Sequence, residues 1–215
     1  MLLKIVASTV AVAATIVVAA GCGGEPAAPC QVGDPTLEPE LQIVVPRGGL
    51  VELADGDVLT MTQPPQGGMI ALVGLRVRNV DTCGATVQAA LIDPCDQHVL
   101  GVERRPVTFR LADDGFAEPA QPDELSDFAN LATCPNSVGS RDVDGQPYDL
   151  EVRLYEASGR TTTRRISVTP TCGDDEWCRC QCDADYVNGG DCNVDPDGGV
   201  IGCGDGVDAG VDAAP

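Results

Sequence analysis

The sequence predicts an all-β protein: an antiparallel β-sandwich over residues 41–170, followed by a small disulfide-rich C-terminal segment. Three observations lead there. Apolar residues in the middle of the chain recur at every second position, the period of a strand with one buried face. Turn-forming residues separate these runs. No segment carries a convincing helical period of 3.6.

The elements follow in order. Short strands are expected at 41–45 and around 58–61. In MIALVGLRVRNV, Ala71, Val73, Leu75 and Val77 share one face, and Leu72, Gly74, Arg76 and Arg78 share the other. In TVQAALID, Val87, Ala89 and Leu91 face one way and Gln88 the other. Val107, Phe109 and Leu111 alternate with Thr108 and Arg110. Residues 122–132, PDELSDFANLA, come nearest to helix, one or two turns opened by Pro122 or Asp123. In YDLEVRLYEASG, Leu150, Val152 and Leu154 alternate with Asp149, Glu151 and Arg153. Ala157-Ser158-Gly159 reads as a hairpin loop, and RTTTRRISVTP returns with Ile166 and Val168 on one face. One solvated face per strand is the mark of an antiparallel sheet.

The run YDLEVRLYEASGRTTTRRISVTP resembles the last two strands of bacterial immunoglobulin-like or fibronectin-like modules. The resemblance implies an immunoglobulin-like sandwich, an architecture that serves many functions. The Cys…Trp…Cys pattern of antibody domains is absent, because Trp177 lies in the tail.

The N-terminus reads as an export signal. Lys4 gives a positive start, residues 5–20 are uncharged and almost wholly apolar, and Ala19-Ala20-Gly21-Cys22 follows. As a helix the apolar run would reach about 24 Å, short of the roughly 30 Å of a hydrocarbon core. Ala19-Ala20-Gly21-Cys22 resembles the lipobox of bacterial lipoproteins. That resemblance implies removal of residues 1–21, a thioether-linked diacylglyceryl group on Cys22 and acylation of the new amine. Gly23 follows Cys22 where enterobacterial lipoproteins retained in the inner membrane have Asp. The resemblance therefore implies outer-membrane localisation, facing either the periplasm or the cell surface. The competing readings are simple secretion and a retained helix.

Cysteine arithmetic points the same way. The chain has 11 Cys, so setting Cys22 aside leaves 10, an even number. Such density suits an oxidising compartment and bridged pairs. The candidates are Cys30, Cys83, Cys95, Cys134, Cys172, Cys178, Cys180, Cys182, Cys192 and Cys203. Four precede Cys172 and the other six begin with it, so each region can pair internally. Cys30, Cys83, Cys95 and Cys134 are expected to close two bridges among themselves. Spacing alone does not fix the partners.

The chain thus divides into a signal peptide (1–21), a lipid-anchored flexible tether (22–40), the β-sandwich (41–170), a cysteine-rich acidic knot (171–203) and a disordered acidic tail (204–215). Formal net charge is −20 over the whole chain, from 13 basic and 33 acidic residues. Such a charge repels nucleic acid and anionic headgroups. Arg104-Arg105 and Arg164-Arg165 are isolated basic spots, read as local charge compensation or as partner contacts. Trp177, the single Trp, either packs the knot against the sandwich or meets a partner, packing being the expectation.

Candidate chemistry is sparse. Asn193, Asp195 and Asp197, with Gly198, match the start of a calcium loop, but position twelve is Gly204 where an EF-hand has a bidentate Glu. Cys178-Arg179-Cys180-Gln181-Cys182 lacks the spacing and second ligand pair of a zinc site. No motif supplies a nucleophile with a base, and no catalytic or cofactor residues are assigned. His98, Asp93 and Asp96 would serve catalysis only by converging with a nucleophile, and the pair Asp113-Asp114 is unremarkable in so acidic a chain. Three readings follow: a non-enzymatic envelope lipoprotein acting in structure, adhesion or protein recognition; a calcium- or carbohydrate-binding module; a small hydrolase-like enzyme. The first implies a membrane attached through the lipid and another envelope protein as partner, with no cofactor.

Overall fold

The structure is a computed structural model that describes residues 30–122, 125–136, 141–186 and 192. It is all-β over its main body, with two principal sheets contributing to one hydrophobic cluster. In the first sheet, β2 (Glu40–Pro46) pairs with β5 (Met69–Arg78) from Glu40↔Arg78 to Val44↔Gly74, and β3 (Leu50–Glu52) folds back on β2. The other edge of β5 is shared. β10 (Ala117–Pro119) joins it at Ala117↔Val77 with β9 (Phe109–Leu111) beyond, and β11 (Ala129–Cys134) takes the half from Val73 to Met69.

The second sheet contains β4 (Asp57–Thr60), β7 (Thr86–Ile92), β8 (Val99–Pro106), β12 (Tyr148–Tyr155) and β13 (Thr161–Thr171), in the order β4-β13-β12-β7-β8. All its pairs are antiparallel except β13 with β4. β12 and β13 form the expected hairpin through Ala157-Ser158-Gly159, with Gly159 at φ +92°, a conformation that costs a side-chain-bearing residue more than glycine.

The alternation read from sequence sets the core. Ala71, Val73, Leu75 and Val77 of β5 meet Val87, Ala89 and Leu91 of β7 and Leu150, Val152 and Leu154 of β12 in one cluster, each nearly inaccessible to solvent. Each buried Val or Leu side chain contributes about 1.5–3 kcal/mol of transfer free energy. The first sheet curls so that β11 runs beside β8. A Cβ placed on Gly101 of β8 would lie 2.0 Å from the Ala132 carbonyl oxygen of β11, so the two backbones touch where only glycine leaves room. The Asn130 N–H donates to Glu103 Oε2 across the same junction.

Several expectations are corrected. Residues ahead of 41 also join the β body. Gln31–Val32 (β1) pair with Val80–Asp81 (β6), and Cys30 is bridged to Cys83. The near-helical 122–132 stretch contributes a single 3-10 turn at Leu125–Asp127 before β11 begins, because burying Ala129 and Leu131 on one face of a strand outweighs the weak local preference. Val107 lies outside β9, and Leu111 points outward, 50% exposed. A true helix, α1 (Glu176–Cys182), occurs in the tail where none was expected.

The body has two ends. At one lie Cys30–Cys83, Asn79 and the β12–β13 turn, clasped by Arg160, which donates to Glu156 and to the carbonyls of Pro35 and Asn79. At the other lie α1, Cys134 and the start of β12.

Candidate functional site

The most elaborated part of the surface is the end that carries α1. Asp175 caps the helix, its carboxylate accepting the Cys178 N–H at 3.1 Å. Seven residues are too few for a helix to hold itself in water, so the bridges matter. Cys178 and Cys182 stand four residues apart on one helix face, both buried. Cys178 bridges Cys172 at the end of β13, and Cys182 bridges Cys134 at the end of β11. Cys180 faces elsewhere and bridges Cys192. The one-residue spacing of Cys178-Arg179-Cys180-Gln181-Cys182, awkward for zinc, suits a helix stapled on two sides. Cys134–Cys182 also corrects the expectation that the two cysteine groups pair separately, since it ties the tail segment to the β body. Cys182 Sγ packs 3.9 Å from Met61 Sδ, and the Val143 N–H donates to the Cys182 carbonyl at 2.8 Å.

Cys172 N–H donates to Asp144 Oδ1, and Ala184 N–H to Asp142 Oδ1, so carboxylates before β12 hold both flanks of α1. Trp177 is left outside: it is 46% exposed and absent from the core cluster, against the expectation of packing. Asp174, Asp175 and Glu176 precede it, all exposed.

The other sequence-nominated residues are distributed as follows. Cys22, Cys203, Asn193, Asp195 and Asp197 lie outside the described residues. Cys30–Cys83 closes one bridge inside the expected group of four. Cys95 is bridged too. His98, Asp96 and Asp93 share one loop but diverge. The His98 ring Nδ1 lies 2.7 Å from Asp96 Oδ2 on the surface, whereas Asp93 turns inward to Arg141 with 1% of its side chain exposed. The backbone N–H of His98, then its ring, hold the Asp96 carboxyl below its usual range. Asp114 is likewise held low by Arg76, 2.6 Å away, and by the Phe116 N–H.

The basic spots are compensated. Arg105 pairs with Glu103, Arg164 with Glu52 and Arg165 with Asp149, while Arg104 stacks 3.8 Å above the Tyr155 ring. Across the outer face of the first sheet, Glu118 receives both Arg76 and Arg110, beside a groove of about 350 Å3 lined also by Gly49, Leu50 and Glu52. Among the described residues, the grouping of metal-ligand type is Cys172, Cys178 and Cys182, and all three sulfurs are held in bridges. Sequence reasoning missed α1 as an element, although buried Cys178 and Cys182 at helical spacing were its signal.

No known protein family matches the chain, and no curated protein matches it.

Proposed function

We propose that this chain is an exported lipoprotein, held to a membrane by acyl chains on Cys22, whose β body presents the α1 end for recognition of another envelope protein. The observation that carries the recognition role is Trp177. It is the single Trp of the chain, half-exposed on a short helix whose flanks are fixed by Cys172–Cys178, Cys134–Cys182 and Cys180–Cys192. An exposed aromatic with little entropy left to lose on binding is the usual centre of a binding hot spot. The carboxylates of Asp174, Asp175 and Glu176 beside it suit a partner whose apolar pocket is rimmed by basic groups.

The export reading rests on residues 1–22 and on the density of bridged cysteines, which suits an oxidising compartment. The Gly23 that follows Cys22 supports the outer membrane as destination. Two sheets sharing one core, with the β12–β13 hairpin closing the chain of strands, support an immunoglobulin-like reading of the body.

Intact mass of the membrane-extracted protein tests the anchor: acyl mass on a chain starting at Cys22 is expected, and an unmodified mature chain would refute it. Recognition is tested in cells of the source organism by crosslinking the native protein and a Trp177→Ala variant. A discrete crosslinked partner that disappears with the variant is expected. An unchanged crosslinking pattern removes Trp177 from the reading.

A further inference from the structure

We infer that the molecule stands on the membrane in a defined sense: the end carrying Cys30–Cys83 and the β12–β13 turn faces the lipid surface, and the α1 end with Trp177 points away from it. The inference rests on the lipid reading of Cys22 and adds to it which surface meets the bilayer.

Three observations lead to it. First, the leash is short. Cys30 is the first described residue and is covalently fixed to Cys83. From Cys22 to Cys30 is 30 − 22 = 8 residue steps, so the chain between them spans at most roughly 28 Å. Within the expected tether, 22–40, Gln31–Val32 pair with β6 and the Thr82 N–H donates to the Cys30 carbonyl at 2.6 Å.

Second, the fold puts α1 at the opposite end. β12 runs from Tyr148, beside Val168 of β13, to Tyr155, beside Thr161 and the turn. Cys172 follows β13 immediately and starts the α1 end. The 8 residues of β12 separate the two ends by roughly 26 Å. Gly84 and Ala157 approach each other at the Cys30 end, which places the β12–β13 turn there.

Third, charge favours this sense. At the Cys30 end, Glu40 is matched by Arg78 and Glu156 by Arg160, which leaves Asp34, Glu38 and Asp81. At the α1 end, Asp142, Asp144, Asp174, Asp175, Glu176, Asp183 and Asp185 share the surface with Arg179, while the neighbouring Arg141 is paired with Asp93. An anionic leaflet repels that end more strongly than the first.

The single Trp makes the arrangement measurable. The lipidated full chain is placed in phosphatidylcholine vesicles doped with headgroup-spin-labelled phosphatidylcholine, and Trp quenching is compared between the native protein and a Trp177→Phe, Ser158→Trp variant. Ser158 lies in the exposed β12–β13 turn; an Ala157→Trp, Trp177→Phe variant serves if the first does not fold. The turn Trp should be quenched several-fold more than Trp177. Co-flotation with equal quenching, or stronger quenching of Trp177, overturns the orientation while leaving the anchor intact. Loss of co-flotation overturns the anchor and the orientation with it.

Discussion

Arg141 and Asp93 meet inside the protein, Nη1 to Oδ1 at 2.9 Å, with 6% and 1% of their side chains exposed. The same guanidinium nitrogen lies 3.0 Å from Cys95 Sγ, and the guanidinium stacks over the Tyr148 ring at 5.1 Å. Asp93 Oδ1 also accepts the Cys95 N–H, so this pair fixes the 93–98 loop against the start of β12. A buried pair of this kind is costly to assemble and costlier to halve.

Arg141→Met strands the Asp93 carboxylate in the interior and should cost about 3–5 kcal/mol. Combining it with Asp93→Asn, which keeps an acceptor for the Cys95 N–H, should recover part of that loss. Urea unfolding of the three proteins reads both numbers. A single variant within about 1 kcal/mol of the parent would show that the pair does not bear on stability.

Tyr148 is fully buried, and its phenol donates to the Asp142 carbonyl at 2.9 Å. Burial pushes its pKa above the ordinary tyrosine value of about 10, with Arg141 opposing the rise. The neutral phenol's stabilising contribution is fully present below that unfolded-state value. As pH rises past it, the unfolded chain loses its proton first, and the contribution is lost progressively until the folded-state pKa is passed. Stability should therefore fall above about pH 10. Tyr148→Phe should flatten this alkaline limb while lowering stability near neutrality by about 1 kcal/mol for the lost hydrogen bond. An unaltered alkaline slope in the Phe variant would assign that slope to other groups.

Gly101→Ala forces a methyl group against the Ala132 carbonyl, and because the obstacle is backbone it cannot rotate away. The β8–β11 junction must open, at about 1–3 kcal/mol or more. Hydrogen exchange should show faster exchange at Asn130, whose N–H donates to Glu103 of β8 across that junction. Native-like protection there would mean that the two strands have room to separate freely.

Removing Cys134–Cys182 by the double Ala substitution reopens a loop of 48 residues, for which chain entropy suggests about 4 kcal/mol and experience about 2–4. Far-UV dichroism should also lose the α1 contribution, since seven residues held by fewer bridges are not a stable helix. Retention of both stability and helix would show that packing against Met61 alone suffices.

Peptide mapping under non-reducing conditions links the anchor to the bridges. The described bridges use eight cysteines, and Cys95 is bridged as well. With Cys22 lipidated, Cys203 is what remains for Cys95, and a Cys95–Cys203 peptide is the expected product. A Cys22–Cys95 peptide would be incompatible with the lipid on Cys22.

Legibility differed by element for physical reasons. β5, β7, β12 and β13 were readable because each buries one face against a shared core, which stamps period two on Val, Leu and Ala. β8 escaped because it lies at the edge of its sheet and the ladder is irregular at Leu91/Ile92, leaving Val99 and Val102 exposed on the outer face. β11 was masked by the helix-like PDELSDFANLA, whose local preference survives as one 3-10 turn. α1 was hidden because Cys178 and Cys182 read as bridge-formers, when they are also its buried face.

The sequence by itself determined the all-β class, the β12–β13 hairpin, the abundance of cysteine and the expectation of an anchor at Cys22. These follow from local periodicity, turn chemistry and composition, which need no knowledge of neighbours. Only the tertiary structure decided that Cys30 belongs to the body, that Cys134 reaches across to Cys182, that Asp93 is buried while His98 is not, and that Trp177 is outside. Each of those is a long-range pairing. The same residues in the same order leave it open, because it depends on which strand ends are brought together when the two sheets bury their common core.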